Sequence, residues 1–263
     1  MTVGEVMSKD PVSIREDDYM THARQVIRDN FLRVLPVVDE GNRVLGVLSD
    51  QDVLNIRSSK SNVTVRGYIR ETPLITPDMD LLRAARELLD AKQHHAPVVS
   101  SSLDRSIVGI LSDVDLLRHI QPTKRSPASV EEIMTAKVET AYPDDSISRI
   151  WDNMLHWDYT GIPVVSHKKE PMGIVTRIDI IKAGYARIGT ANMHGRSSGG
   201  SMRVEKVMST PLYSVAPESS ISEAIGEILR NDIGRISVTD GGRLVGIADR
   251  HDLLRACLEG TGL

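Results

Sequence analysis

Four stretches of this 263-residue chain align almost without gaps, and each ends in the same short signature. The signature is a glycine, two apolar residues, a hydroxyl residue, two variable residues and an aspartate. It occupies residues 46–52, 109–115 and 173–179, and a fourth copy at 246–252 has Asp249 in place of the hydroxyl residue. Because a repeated sequence implies a repeated structural unit, this pattern constrains the architecture before any single element is assigned.

A second landmark precedes each signature and fixes the register of the copies. Pro36, Pro97 and Pro163 each follow an apolar residue and precede two valines, and Ser237 stands at the equivalent position of the fourth copy. Upstream of the landmark, apolar residues recur at the i, i+3, i+4 spacing of a helix with one buried face. The valine-rich runs after it favour strands. Each copy therefore predicts the order strand, helix, strand, strand, helix, which is an α+β fold.

The repeats are predicted at residues 1–57, 64–120, 130–188 and 203–257. A unit of this size buries too little surface to be very stable alone. We therefore expect the first repeat to pair with the second in one module, and the third with the fourth in another. Residues 189–202 are rich in glycine and serine and are predicted to form a flexible linker.

Composition excludes several classes of protein. The sequence contains no apolar run of membrane-spanning length and no recognisable secretory signal, so we expect a cytoplasmic protein. A net charge of −4 argues against nucleic-acid binding. The single cysteine, Cys257, has apolar neighbours and is expected to be a buried thiol. No hydrolase, phosphate-loop or zinc-protease motif is present, so we predict that the protein is not an enzyme.

The signature, the hydrophobic-Pro-Val-Val element and a lead-in containing Val6-Met7, Ile133-Met134 or Val207-Met208 together resemble the CBS domain. The resemblance covers almost the whole chain. It implies two tandem pairs of domains (Bateman modules) that stack into a disc and bind adenosine-containing ligands between paired domains. The arrangement is similar to that of the γ subunit of AMP-activated protein kinase and of stand-alone prokaryotic relatives.

The signature residues suit such a ligand. An ionised aspartate can accept both hydrogen bonds of a ribose diol, and a hydroxyl at a helix start can donate to a phosphate. The glycine is expected to let the backbone approach the ligand without a Cβ in the way. The expected ribose ligands are Asp52, Asp115, Asp179 and Asp252, and the hydroxyl positions are Ser49, Ser112, Thr176 and Asp249. The competing interpretation is that these residues only cap the following helix.

Cations and further hydroxyls complete the expected site. The basic residues just before the second strand are predicted to face phosphate, and they are Arg33, His94, His95 and Arg235. The third copy has the uncharged pair Thr160-Gly161 there. Ser13, Thr140 and Ser214 precede the first helix and are expected on the adenine side. No metal site is predicted, because His94 and His95 have no third ligand at a helpful spacing.

The leading hypothesis is a non-catalytic sensor that binds AMP, ADP or ATP and modulates a separate protein. Two carboxylates three residues apart, Asp249 and Asp252, should repel phosphate in the fourth copy. The alternative ligand is S-adenosylmethionine or methylthioadenosine, and Asp249 favours the cationic sulfonium of the former. A third hypothesis is an assembly adaptor with vestigial sites. The chain is expected to be a monomer or a homodimer with no membrane span, and the partner is unidentified.

Overall fold

The structure, a computed structural model, describes residues 1–54, 62–183 and 202–259. It is a mixed helix and sheet protein with four repeats, which confirms the predicted fold class. The predicted linker at 189–202 lies outside the described residues apart from Met202, as do the ends of the first and third predicted repeats. No helix in the described ranges is long and apolar enough to cross a membrane.

The chain divides into two compact units. The first comprises Met1–Ser126 together with Arg250–Leu263, and the second comprises Pro127–Asp249. The first unit includes the last helix of the chain because that helix packs against two helices of the second repeat. The module boundaries expected from the sequence stay a prediction.

The first unit contains two repeats and the last helix. Its elements are α1 (Val3–Val6), β1 (Ser8–Lys9), β2 (Ile14–Arg15), α2 (Met20–Asn30), β3 (Val34–Val38), β4 (Val44–Ser49), α3 (Asp50–Leu54), α4 (Leu81–Asp90), β5 (His95–Val99), β6 (Ile107–Ser112), α5 (Asp113–Leu117) and α9 (Arg250–Glu259). A 3-10 turn at Val65–Tyr68 begins the second repeat. Helix α9 packs on α4 and α5.

The second unit repeats the pattern. Its elements are α6 (Ile147–Trp157), β7 (Gly161–Val165), β8 (Pro171–Thr176), α7 (Arg177–Lys182), β9 (Ser214–Val215), α8 (Ile221–Asn231), β10 (Arg235–Asp240) and β11 (Arg243–Asp249). The 3-10 turns Val130–Glu132 and Val204–Lys206 begin the two repeats. Helix α8 begins with a capping box, in which the Glu223 carboxylate accepts from the Ser220 amide at 2.7 Å.

Strand pairing confirms the register deduced from the prolines. In every repeat the residue after the landmark position lies opposite the first strand, in a parallel bridge. The bridges are Ile14 with Val37, Ile75 with Val98, Ala141 with Val164, and Val215 with Val238. The following strand is antiparallel and runs into the signature.

Paired repeats exchange their lead-in segments, which we define as residues 2–9, 64–70, 129–135 and 203–209. The first of these segments packs on the second repeat, and the second packs on the first; the third and fourth do the same. One fully buried valine anchors each segment, and its amide donates to a carbonyl of the partner repeat at 2.9–3.0 Å. The valines and their acceptors are Val3 with Met79, Val65 with Asp18, Val130 with Ser219, and Val204 with Asp145.

The signature glycines make this exchange possible. The residue that follows each glycine pairs with the last part of the partner's lead-in segment, as Ile174 does with Ser209. A Cβ atom on Gly173 would overlap the backbone carbonyl of Ser209, and one on Gly109 would lie 2.9 Å from the carbonyl oxygen of Ser8. At Gly46, Gly109 and Gly173 the backbone that approaches the glycine is thus that of the partner repeat, whereas Gly246 faces the Met134 side chain.

The substitution Gly173→Ala should destabilise the second unit by about 1–3 kcal/mol, because the new methyl group meets backbone that cannot move away independently. Urea denaturation followed by circular dichroism measures the loss. Gly226→Ala is the matched control, since a Cβ there meets only the end of the Arg230 side chain at 3.9 Å. Alanine favours a helix interior, so this control should be neutral or stabilising. Equal midpoints for the two variants would contradict the assigned role of Gly173.

Candidate functional site

The hydroxyl and the aspartate of the signature bond to each other in the first three repeats. In the second repeat, the Ser112 hydroxyl and amide donate to Asp115 Oδ2 at 2.7 and 2.9 Å, and the Asp115 amide lies 3.3 Å from Ser112 Oγ. The same three contacts join Ser49 to Asp52 and Thr176 to Asp179. These residues therefore cap the following helix, as the competing interpretation holds. The cap uses only one carboxylate oxygen, so it does not preclude binding by the other.

The second oxygen of each aspartate faces the lead-in segment of the partner repeat. Asp52 Oδ1 lies 2.5 Å from Arg70 Nη2, and Asp179 Oδ1 accepts a hydrogen bond from Ser209 Oγ at 3.0 Å. Asp115 Oδ1 has no hydrogen-bond partner among the residues that the structure describes. The second repeat therefore presents a carboxylate oxygen ready to accept from a ligand.

Sequence reasoning missed these facing residues, although a signal existed. Three lead-ins have methionine followed by a hydroxyl residue, at Ser8, Thr135 and Ser209, and the second repeat has Arg70 at the same position. Strand pairing places all four opposite equivalent residues of the partner's signature strand. The sequence did not link these residues to the signatures they face, because the exchange places each lead-in segment beside the partner repeat and not beside its own.

The fourth signature differs in its surroundings as well as in its sequence. Asp249 ends β11, and Asp252 lies in the first turn of α9 with its Oδ1 3.8 Å from Arg255 Nη1. Both side chains are half-buried. The expectation that this copy rejects phosphate stays a prediction.

The predicted cations of the first unit lie beside the starts of helices α3 and α5. The Arg33 carbonyl accepts from the Asp50 amide at 2.9 Å, and the His94 carbonyl accepts from the Asp113 amide at 3.0 Å. His95 stands directly opposite Ser112 in the hairpin. The candidate basic residues and the signature hydroxyls therefore share one end of each hairpin.

His95 supplies a nitrogen to this region but no charge. Burial is the main reason that its pKa is lowered to about 4. The positive charges of Arg33, His94 and Arg250 lower the pKa further, whereas the negative charge of Asp113 raises it. Its buried Nδ1 has no hydrogen-bond partner in the described structure. A buried polar atom left in this state costs roughly 1–3 kcal/mol.

The Arg235 side chain contacts the third repeat. Its Nη1 donates to the Gly161 carbonyl at 2.8 Å, and its Nη2 donates to the Thr160 hydroxyl. The third copy has no cation of its own at this position. Arg235 therefore brings a guanidinium to it from the paired repeat.

The hydroxyls expected on the adenine side take equivalent places at the sheet edge. Ser13, Thr140 and Ser214 each precede the residue of the parallel bridge. Ser214 Oγ lies 3.0 Å from Thr239 Oγ1, and Ser13 borders a shallow depression with the carboxylates Asp18 and Glu40. Their role toward adenine stays a prediction.

Buried charges at the first variable position of the signature also escaped sequence reasoning. Asp50, Asp113 and Arg177 are all buried there. Arg177 Nη2 donates to the Met154 carbonyl and to Asp158 Oδ1, both at 3.0 Å. The identity of these residues differs between repeats, so no repeated pattern pointed to them.

Cys257 is buried, as expected from its sequence context. Burial raises the pKa of its thiol to about 12. The thiol is therefore protonated at neutral pH and is a poor nucleophile.

Several known proteins are similar to this chain in sequence. An uncharacterized protein of Methanocaldococcus jannaschii is 28% identical over 266 residues, which cover 96% of this chain and 61% of the relative. The chain thus spans less than two thirds of that relative. The L-aspartate semialdehyde sulfurtransferase of the same organism is 31% identical over 123 residues, which cover 46% of this chain and 23% of the enzyme.

Among solved structures, a second M. jannaschii protein, likened in its description to γ-AMPK, matches with a TM-score of 0.76. The match covers 97% of this chain and 99% of the other at 20% identity, so it shows a shared fold. The CBS domain family matches residues 3–59, 65–122, 130–186 and 204–259, which include all four signatures. With four matches over most of its length, the chain belongs to the CBS domain family.

Proposed function

We propose that the chain is a regulatory protein without catalysis of its own. It binds an adenine nucleotide (AMP, ADP or ATP) between paired repeats and thereby changes its action on a separate protein. The observation that carries this proposal is the second repeat, where Asp115 and the start of α5 lie at the same end of the hairpin as His94 and His95. The charge of Arg33, from the first repeat, also acts on His95.

Ribose is the part of the ligand that the aspartates suit. The helix cap fixes one oxygen of the carboxylate, so the other oxygen is already held in place before the ligand arrives. This lowers the entropy lost on binding. Asp115 Oδ1 meets this condition without any rearrangement. Asp52 and Asp179 must exchange Arg70 or Ser209 for the ligand, or hold the ligand together with them.

Phosphate is the part of the ligand that the hairpin ends suit. His95 Nδ1 is buried and has no hydrogen-bond partner in the described structure. The guanidinium of Arg33 is close enough for its charge to help lower the His95 pKa. A phosphate oxygen placed between them would satisfy the nitrogen and offset the positive charge. In the second unit, Arg235 beside Thr160 offers a comparable anchor.

The proposal that the protein has no catalytic activity is based on its sequence. The family matches account for nearly all of the chain, and the catalytic motifs considered above do not occur in it. The thiol of Cys257 is buried and protonated. The similarity to a sulfurtransferase covers 23% of that enzyme, so it gives no ground for assigning that activity to this chain.

Isothermal titration calorimetry with AMP, ADP, ATP, S-adenosylmethionine and methylthioadenosine tests the proposal. We expect the phosphorylated ligands to bind more tightly than methylthioadenosine, which retains the ribose and adenine but has no phosphate. Tighter binding of S-adenosylmethionine would favour the alternative that Asp249 and Asp252 suggest. Failure of all five ligands to bind would leave the adaptor hypothesis and contradict the proposal.

Replacing Asp115 with alanine should weaken nucleotide binding by about 1–3 kcal/mol, because a charged acceptor is lost. Calorimetry measures the change in Kd. Asp80→Ala is the matched control, since Asp80 caps α4 by accepting from the Leu82 amide at 2.8 Å but lies outside the signature. Both variants lose a helix cap and some stability, but only Asp115→Ala should lose affinity. Unchanged affinity in Asp115→Ala would refute the ribose role in the second repeat.

The low pKa of His95 should make stability depend on pH. Its folded value of about 4 lies below the ordinary 6.5, so the unfolded chain binds more protons between these values. Stability should therefore fall as the pH is lowered from about 6.5 to 4, and His95→Gln should flatten that dependence in urea denaturation curves.

A bound nucleotide should raise the His95 pKa, measured by NMR titration, because a nearby anion favours the imidazolium. A His95 pKa that does not change in nucleotide-saturated protein would contradict its placement beside phosphate.

A further inference from the structure

Three side chains from distant parts of the sequence meet in the first unit. His94 and Asp113 belong to the second repeat, and His251 lies in the first turn of α9. Each offers one atom that can bind a metal, and these atoms all lie within 4.8 Å of one another. The sequence predicted no metal site because a third ligand was sought near His94 along the chain. The packing of α9 on α4 and α5 supplies it.

The two ligands from the second repeat are held by its hairpin. The Asp113 amide donates to the His94 carbonyl at 3.0 Å, and the His94 imidazole Nδ1 lies 2.7 Å from Asp113 Oδ2. Asp113 is fully buried, whereas the His94 side chain is 35% exposed. The pair thus has a fixed carboxylate on the inner side and an imidazole that solvent can reach.

His251 is oriented by a backbone group. Its Nε2 lies 3.1 Å from the carbonyl oxygen of Gln93, and its ring lies against that of His94, with centroids 4.0 Å apart and ring planes tilted by 36°. A histidine that donates through Nε2 presents a lone pair at Nδ1. Metal-bound histidines usually donate their other ring nitrogen to a carbonyl or carboxylate in this way.

Asp113 is ionised in this setting. Burial opposes its charge, but the hydrogen bond from His94 and the positive charges of His94 and Arg250 together hold its pKa below the ordinary value. Arg250 Nη1 lies 3.5 Å from Asp113 Oδ1, on the oxygen that His94 does not use. Oδ2 can therefore coordinate a cation while Arg250 still faces Oδ1.

We propose that His94, Asp113 and His251 bind a divalent transition-metal ion of the zinc type. Two imidazoles and one carboxylate are ligands that Zn²⁺ and Co²⁺ accept, whereas Mg²⁺ and Ca²⁺ prefer oxygen alone. Tetrahedral bonds of about 2.0 Å require ligand atoms roughly 3.3 Å apart, so the side chains close slightly around the ion. The hydrogen bond between His94 and Asp113 is then replaced by two metal bonds, and the His94 proton moves to Nε2 or to solvent. A water molecule completes the coordination.

Titration of the full chain with Co²⁺ tests this site, because Co²⁺ bound tetrahedrally by nitrogen and oxygen absorbs visible light more strongly than the hydrated ion. Competition with a chromophoric chelator then gives the Zn²⁺ affinity. Nucleotide is left out of both measurements, so the result is independent of the proposed nucleotide function. We expect a site with a stoichiometry of one per chain, and a loss of affinity of at least tenfold in His94→Ala and in His251→Ala.

His22→Ala is the matched control, since His22 Nδ1 also lies beside a carboxylate, at 3.2 Å from Asp18 Oδ1, but outside the cluster. It should leave the affinity unchanged. Circular dichroism shows whether each variant is folded. Should His251→Ala unfold, His251→Gln replaces it, because an amide can keep the contact with Gln93 without an imidazole ligand. Zn²⁺ affinity in the folded His94 and His251 variants equal to that of the wild type, or no Co²⁺ spectrum in the wild type, would overturn the proposal.

Discussion

The exchange of lead-in segments between paired repeats is the contact on which the rest of the structure depends. The four buried valines, Val3, Val65, Val130 and Val204, complete a core that belongs to the partner repeat. Burying one such side chain stabilises the fold by roughly 1.5–3 kcal/mol. A single repeat would expose that part of its core and leave backbone donors unpaired. The pair, rather than the repeat, is therefore the unit that folds.

This exchange also makes each candidate site a property of two repeats. The signature supplies the capped carboxylate, and the partner's lead-in supplies the residue that faces its second oxygen. Because that residue is arginine for Asp52 and serine for Asp179, sites with the same signature differ in charge. Equivalent signatures need not have equal affinities, and any difference arises from residues outside the repeated motif.

The sequence predicted the fold closely but the site only in part. Fixed spacing between landmarks gave the four repeats and the register of Val37, Val98, Val164 and Val238, because local periodicity determines where strands and helices lie. Contacts between distant segments carried no such signal. Arg70, Asp113 and His251 act through neighbours that only tertiary packing brings near, and the first two occupy positions that vary among the repeats. The contact of the Arg235 guanidinium with Thr160 of the paired repeat likewise carried no signal in the sequence.

The placement of α9 has a consequence for how the protein is made. Strand β11 ends at Asp249 in the second unit, and the next residue begins the helix that packs on α4 and α5 of the first. During synthesis, domains near the N-terminus generally fold first as the chain emerges from the ribosome. Here the first unit must wait for the last helix to be translated before its packing is complete. A chain truncated after β11 would thus damage the part of the protein that was synthesised first.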